Sequence, residues 1–160
     1  IGKSKLLQEE NLYKKSSNSK KIIICRLFNA YGKNQNINFV IPKIKHSYYF
    51  ESKIHLGNID VMRDFIYIDD VLAALEMLLS YNMLSNNYEI FNISTQRATS
   101  ISRIMEIFSS LLNKNIEIKI DENLKRPESI IEVGSNKKIK KFLNWSPEVD
   151  MYQGIKKLLI

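Results

Sequence analysis

Ile22-Ile23-Ile24-Cys25-Arg26-Leu27-Phe28-Asn29-Ala30-Tyr31-Gly32 is the stretch on which the fold turns. Its opening residues are β-branched and apolar in unbroken succession, the habit of a strand buried on both faces in a parallel sheet. The seryl stretch from Ser16 to Ser19 separates this strand, over 21–27, from a helix over 3–14 that carries Leu6, Leu7, Glu10 and Leu12. Beyond Gly32 a turn-rich segment to Asn38 leads into a helix over about 39–49, and short strands are predicted near 53–56 and 64–67. Asp69 or Asp70 is placed to cap a helix over 71–79, with Val71, Leu75, Leu78 and Leu79 on one face. A strand over 88–93 follows. Ser100 then caps a helix over 101–112 whose buried side holds Ile101, Ile104, Ile107, Phe108 and Leu111. A strand at 116–120, a loop around Arg126, a short helix near 135–143 and a last helix from about 150 complete an α/β chain.

At 160 residues the chain is long enough for one domain with an ordinary core, and 44% hydrophobic with 26% charged residues is the balance of a globular protein. Neither a membrane-spanning apolar run nor a signal-peptide pattern is present, so a cytoplasmic location without a membrane partner is expected. The lone cysteine, Cys25, reads as a small core residue, and His46 and His55 lack metal-ligand spacing, so no metal site is expected. A net charge of +7 raises nucleic acid as a ligand. The excess is mostly lysine in surface-like runs without a recognition motif, so nucleic acid is not expected as the partner.

Five strand signals alternating with helices suggest parallel packing, yet the five glycines, at 2, 32, 57, 134 and 154, are too far apart to form a dinucleotide-binding glycine turn. Three arginines stand out instead. Arg26 ends the apolar run, Arg63 opens Arg63-Asp64-Phe65-Ile66-Tyr67-Ile68-Asp69-Asp70, and Arg126 precedes Pro127. Guanidinium is always charged and grips phosphate oxygens through paired bonds, so separated arginines on loops suit a diphosphate.

An ordered set of short motifs narrows the reading. It comprises Gly2-Lys3-Ser4-Lys5, Arg26-Leu27-Phe28-Asn29-Ala30-Tyr31-Gly32, Asn38-Phe39-Val40-Ile41-Pro42, Leu56-Gly57-Asn58, Arg63-Asp64-Phe65, Asp69-Asp70-Val71, Asn92-Ile93-Ser94, Arg126-Pro127 and Phe142-Leu143-Asn144-Trp145-Ser146-Pro147. Together they resemble the C-terminal half of the NAD(P)-dependent sugar-nucleotide epimerases, dehydratases and reductases, the extended short-chain dehydrogenase/reductase family. The branch most resembled is that of GDP-mannose 4,6-dehydratase and GDP-4-keto-6-deoxymannose reductase. The resemblance implies the C-terminal part of a Rossmann-type fold, its last elements interleaved with a smaller substrate-binding subdomain over residues 1–160, and an absent N-terminal dinucleotide-binding half as partner.

Site roles follow from that resemblance. Lys5 matches the lysine of the family's Tyr-x-x-x-Lys pair, which holds the nicotinamide ribose and lowers the tyrosine pKa; a solvated surface lysine is its plain alternative. Asn29 matches an asparagine that approaches the substrate, or it is a turn residue before Gly32. Arg63 and Arg126 match the two arginines on the diphosphate, with an ion pair to Asp64 or Asp69 as the alternative for Arg63. Phe39 and Val40 match the segment lining the nucleotide pocket at a helix N-terminus, or they are helix packing. Asn58 contacts the nucleotide or completes its turn. Asp69 and Asp70 are better explained as helix caps than as a catalytic pair, and Trp145 with Pro147 as a plug beneath the last helix.

Two departures qualify the match. Ile1 stands where the tyrosine is expected and has no ionisable proton, so this chain alone is expected to be inactive and to bind no cofactor, with NAD or NADP serving the parent enzyme. Ser129 occupies the place of an acidic ribose contact, with Glu128 one position early, which leaves GDP-, CDP-, UDP- and dTDP-sugars open. A nucleotide-diphosphate hexose, possible homodimer contacts and hydride transfer at the sugar C4 complete the expectation. A non-catalytic nucleotide-sugar-binding or protein-interaction module is the competing one.

Overall fold

The computed structural model describes residues 2–17, 19–82, 87–125 and 129–160. Among them six helices and nine strands alternate. In order they are α1 (Gly2–Lys15), β1 (Ile22–Leu27), β2 (Asn29–Tyr31), α2 (Val40–Phe50), β3 (Lys53–Leu56), β4 (Met62–Arg63), β5 (Phe65–Tyr67) and α3 (Ile68–Leu79). Then come β6 (Tyr88–Ile93), β7 (Thr99–Ser100), α4 (Ile101–Leu112), β8 (Glu117–Ile120), β9 (Ile131–Glu132), α5 (Lys137–Leu143) and α6 (Met151–Leu159). Parallel pairs dominate: β1 with β6 in the register Cys25 to Phe91, β2 with β5, and β3 with β8. A small three-stranded sheet places β4 between antiparallel β7 and parallel β9. The α/β expectation therefore holds, and each long predicted element recurs within a few residues of its expected bounds.

Period-two side-chain alternation in β5 explains how one short strand serves two cores. Phe65 and Tyr67 enter a cluster built from α2, α4, α6 and β3, in which Ile44, Ile54, Ile104, Phe108 and Ile155 are fully enclosed. Ile66 points the other way, into a cluster of α3, β6 and α5 with Val71, Ala74, Phe91, Ile93, Ile139 and Trp145. Helix α4 follows its apolar spacing closely, starting at Ser100, whose hydroxyl accepts from the Arg103 amide, and ending at the left-handed Asn113.

Several expectations are corrected. Strand β1 is half-buried rather than enclosed, since β6 is its one ladder neighbour among the described residues and α1 covers it sparsely, with Leu6 and Leu7 exposed. Cys25 is accordingly half-buried, its thiol pushed up from the ordinary value by that burial. Neither Asp69 nor Asp70 caps α3: the cap position is Tyr67, without a side-chain bond. Asp70 is buried and accepts from the Glu148 and Val149 amides, anchoring the entry to α6, while Asp69 pairs with Lys157 of α6 at 2.8 Å. Long-range partners outbid the local cap. Leu79 is 89% exposed, the inward stripe of α3 being Asp70, Val71, Ala74 and Leu78. Trp145 packs with α3, β6 and α5 rather than under the last helix.

Arg26, read as one of three phosphate-seeking arginines, already has its anion. Its Nε and Nη2 lie 2.9 and 2.5 Å from the two carboxylate oxygens of Glu9, a paired contact that ties α1 to β1. The bond from Arg26 holds the Glu9 carboxyl below its ordinary value near 4.5. A lowered folded-state pKa means that the contribution is complete above the unfolded value and disappears as pH falls through the folded one. Partial exposure limits it to about 1 kcal/mol. Urea midpoints of Arg26→Ala and the unaltered chain are thus expected to differ slightly at pH 7 and to converge as pH falls below 4.5 and through the lowered folded value; a difference that does not shrink on acidification would contradict this.

Candidate functional site

Ligands of parallel sheets collect where strands end at their carboxyl side. Strand β1 ends at Leu27, and a chamber of about 470 Å³ opens there, lined by Phe28, Asn29, Tyr31, Gln35, Phe39 and Glu132 among others. A second chamber of about 400 Å³ continues past Asn38, Lys43, Gly57, Asn58, Arg63 and Leu124. Asn29, Phe39, Val40 and Phe65 line both, so the two form one groove with a shared waist. Phe39 and Val40 are the N-cap and first residue of α2, whose cap makes no side-chain bond, so the amide end of the helix faces the waist.

The expected site residues divide plainly. Asn29, Phe39, Val40, Asn58 and Arg63 come together in this groove, although they lie as far apart in sequence as 29 and 63. Asn58 also builds its own turn, its side-chain oxygen accepting from the Asp60 amide at 2.9 Å, so the two readings of it are compatible. Ser129 meets Arg63 through its main-chain carbonyl rather than its hydroxyl. Lys5 is exposed on α1 and does not line either chamber. Ile1, Arg126 and Glu128 lie outside the described residues.

Arg63 is 7% exposed and anchored rather than waving in solvent. Its Nη1 donates to the carbonyls of Met62 and Ser129 at 2.9 Å each, and its Nε lies 3.4 Å from a Glu132 carboxylate oxygen. Neither Asp64 nor Asp69 is its ion-pair partner in these contacts. Asp64 instead is completely buried, and its carboxylate accepts from the Thr95 amide and hydroxyl, the Gln96 amide and the Gly134 amide. Gln96 holds a left-handed φ of 61°, a cost that this carboxylate helps to offset. Asp64 thereby clamps the segments after β6 and β9 behind the groove, while its own carbonyl accepts the Asn29 side-chain amide at 3.1 Å.

Sequence reasoning singles out none of Gln35, Lys43 and Glu132, and weighs Asp64 only as an ion-pair partner of Arg63. Signals existed for two of them: Asp64 follows the arginine inside an apolar strand, and Glu132 interrupts Ile130-Ile131-Glu132-Val133. Gly57 has a specific role too. A Cβ there would lie 2.5 Å from the Leu124 carbonyl oxygen and 2.8 Å from its carbon, main-chain atoms that cannot rotate away. Gly57→Ala is expected to push back the Leu124 wall, costing about 1–3 kcal/mol of stability and roughly tenfold in groove affinity. Thermal unfolding together with calorimetry checks both.

A family model described as GDP-mannose 4,6 dehydratase matches residues 2–158. The chain belongs to that family, within the extended short-chain dehydrogenase/reductases. It is 34% identical over 110 residues to GDP-6-deoxy-D-talose 4-dehydrogenase of Aggregatibacter actinomycetemcomitans, covering 68% of this chain and 36% of that protein. It is 26% identical over 147 residues to GDP-6-deoxy-D-mannose reductase of Pseudomonas aeruginosa, covering 87% and 47%. The solved structure of RMD from Pseudomonas aeruginosa complexed with NADPH superposes with a TM-score of 0.78 at 25% identity, over 89% of this chain and 48% of that one. The chain thus spans less than half the length of these family members. Among the described residues no helix is long and apolar enough to cross a membrane, and no cluster of His, Cys, Asp or Glu could hold a metal.

Proposed function

We propose that this chain is the sugar-nucleotide-binding half of an NAD(P)-dependent nucleotide-sugar epimerase, dehydratase or reductase, and that the groove holds a nucleotide-diphosphate hexose, GDP-linked by preference. The observation that carries the reading is the continuity of the groove: its inner chamber is lined by Lys43 and Arg63 and adjoins the amide end of α2 at a waist where Asn29 lies beside the apolar Phe39, Val40 and Phe65. Cations and unsatisfied helix amides attract a diphosphate. Phe39, Val40 and Phe65 at the waist supply apolar contact for the nucleotide-sugar junction. The GDP preference is supported by the two GDP-sugar relatives.

In this reading the chain's work is orientation. Holding the diphosphate at one end and the hexose at the other presents the sugar C4 in a fixed attitude to the nicotinamide, the kind of positioning that converts an encounter into a first-order step. The cofactor finds little on this chain: no glycine-rich turn occurs in the sequence, and Lys5 is its one candidate contact, by resemblance. Calorimetric titration with GDP-mannose, GDP and free mannose tests the reading. Binding of GDP-mannose with competition by GDP and none by mannose is expected; no binding of either nucleotide would overturn it.

A further inference from the structure

Three stretches of chain that are distant in sequence meet at Asp64. Its Oδ1 accepts from the Thr95 amide at 2.8 Å and the Thr95 hydroxyl at 2.6 Å, while Oδ2 accepts from the Gln96 amide at 2.9 Å and the Gly134 amide at 3.2 Å. The main chain of Asp64 is engaged as fully. Its amide donates to the Glu132 carbonyl at 3.0 Å, and its carbonyl accepts from the main-chain and side-chain amides of Asn29 at 3.0 and 3.1 Å. Asp64 is fully buried and lines neither chamber of the groove.

What these bonds hold is the wall behind Arg63. The 129–134 segment supplies two contacts of that arginine, the Ser129 carbonyl at 2.9 Å from Nη1 and a Glu132 carboxylate oxygen 3.4 Å from Nε. On one side of Arg63 the segment is fastened by the Met62 amide, which donates to the Ile130 carbonyl at 2.7 Å; on the other it is fastened by Asp64. Further along, Gly134 stands so near Phe28 of the outer chamber that a Cβ would lie 2.5 Å from the ring. A carboxylate enclosed by four donors resists displacement, because each lost bond would leave a buried group unpaired.

From this arrangement we propose that Asp64 is a positioning residue for ligand capture: by pinning the 129–134 segment it fixes where the Arg63 guanidinium stands in the inner chamber. The inference rests on the reading of the groove as a nucleotide-sugar site. Asp64 itself touches no ligand. A planar guanidinium meets a diphosphate through paired bonds whose directions are set by the fork, so a small displacement forfeits one of them. Support behind the arginine therefore becomes affinity in front of it.

The test is a double-mutant cycle read by calorimetry with GDP, using the full chain with Asp64→Asn, Arg63→Ala and the two combined. Asparagine keeps the side-chain shape and turns one acceptor oxygen into a donor that faces amides. Asp64→Asn is expected to weaken GDP binding about tenfold at unchanged stoichiometry. In the Arg63→Ala background the same change is expected to weaken it less than about threefold, because the arginine through which Asp64 acts is gone. A carboxylate that serves folding alone would lower the fraction of chains that bind and leave the affinity of the rest unaltered. Equal losses of affinity in both backgrounds, or a loss confined to stoichiometry, overturn the inference. Should Asp64→Asn fail to fold, Thr95→Val decides, since it removes the hydroxyl donor to Asp64 alone. It is expected to weaken GDP about threefold with Arg63 present and to have no effect without it; unaltered affinity with Arg63 present overturns the inference. Failure of GDP to bind the unaltered chain overturns instead the groove assignment beneath it.

Discussion

Asp64→Ala is expected to lower the unfolding free energy by about 3–5 kcal/mol, read as a shift of the urea midpoint. The carboxylate is completely enclosed and accepts from three main-chain amides and one hydroxyl, supplied by Thr95, Gln96 and Gly134. Alanine would leave those donors facing a cavity, and each buried unsatisfied group costs about 1–3 kcal/mol. Gly134 cannot readily close the gap by shifting, because a Cβ there would already lie 2.5 Å from the Phe28 ring and 2.7 Å from Ser94 Cβ. Asp64→Asn preserves shape but replaces one acceptor with a donor, and an intermediate loss is expected. A midpoint shift worth less than about 1 kcal/mol would show that the amides find other partners.

Arg63→Ala is expected to weaken nucleotide-sugar binding tenfold or more, from the loss of a charged contact worth about 1.5–3 kcal/mol. Two effects combine. The side chain lines the inner chamber, and its Nη1 bridges the Met62 and Ser129 carbonyls, so removal takes a cation from the groove and releases the strand pairing of β4 with β9. Arg63→Lys separates them. Lysine retains the charge but lacks the planar fork, so it is expected to recover part of the affinity while leaving the 129–132 segment more readily cut by protease. Calorimetry giving wild-type affinity for Arg63→Ala would remove Arg63 from the binding site, whatever its effect on the loop.

Legibility in the sequence followed the range of the forces involved. Helix α4 could be read from Ser100 to Leu112 because cap and apolar spacing both act within a few residues. Strand β6 shows strict alternation of half-buried and buried residues, and was equally plain. The strands β2, β4, β7 and β9 were not, at two or three residues each; such pieces exist because of their ladder partners, not because of their own propensity. Asp69 and Asp70 are instructive, since cap chemistry was a sound local argument and lost to Lys157 and to the amides of residues 148 and 149.

The motifs single out Asn29, Phe39, Val40, Asn58 and Arg63, and the fold places these residues along one groove. Family resemblance made them legible. Arg26 shows the limit of residue type as a guide: guanidinium binds any suitable anion, and which anion lies within reach is a matter of geometry, here Glu9. Gln35 and Glu132 carried no motif, and their common chamber arises from a left-handed turn and a short parallel strand.

By itself, then, the order of residues determined the α/β class, the long helices and strands and the family, because periodicity, caps and short motifs are local and survive without a fold. Tertiary structure decided which charges are neutralised, which side chains line the groove and which main-chain amides a buried aspartate must satisfy. Those outcomes depend on distances between residues far apart along the chain, and such distances exist only once strands pair and cores close.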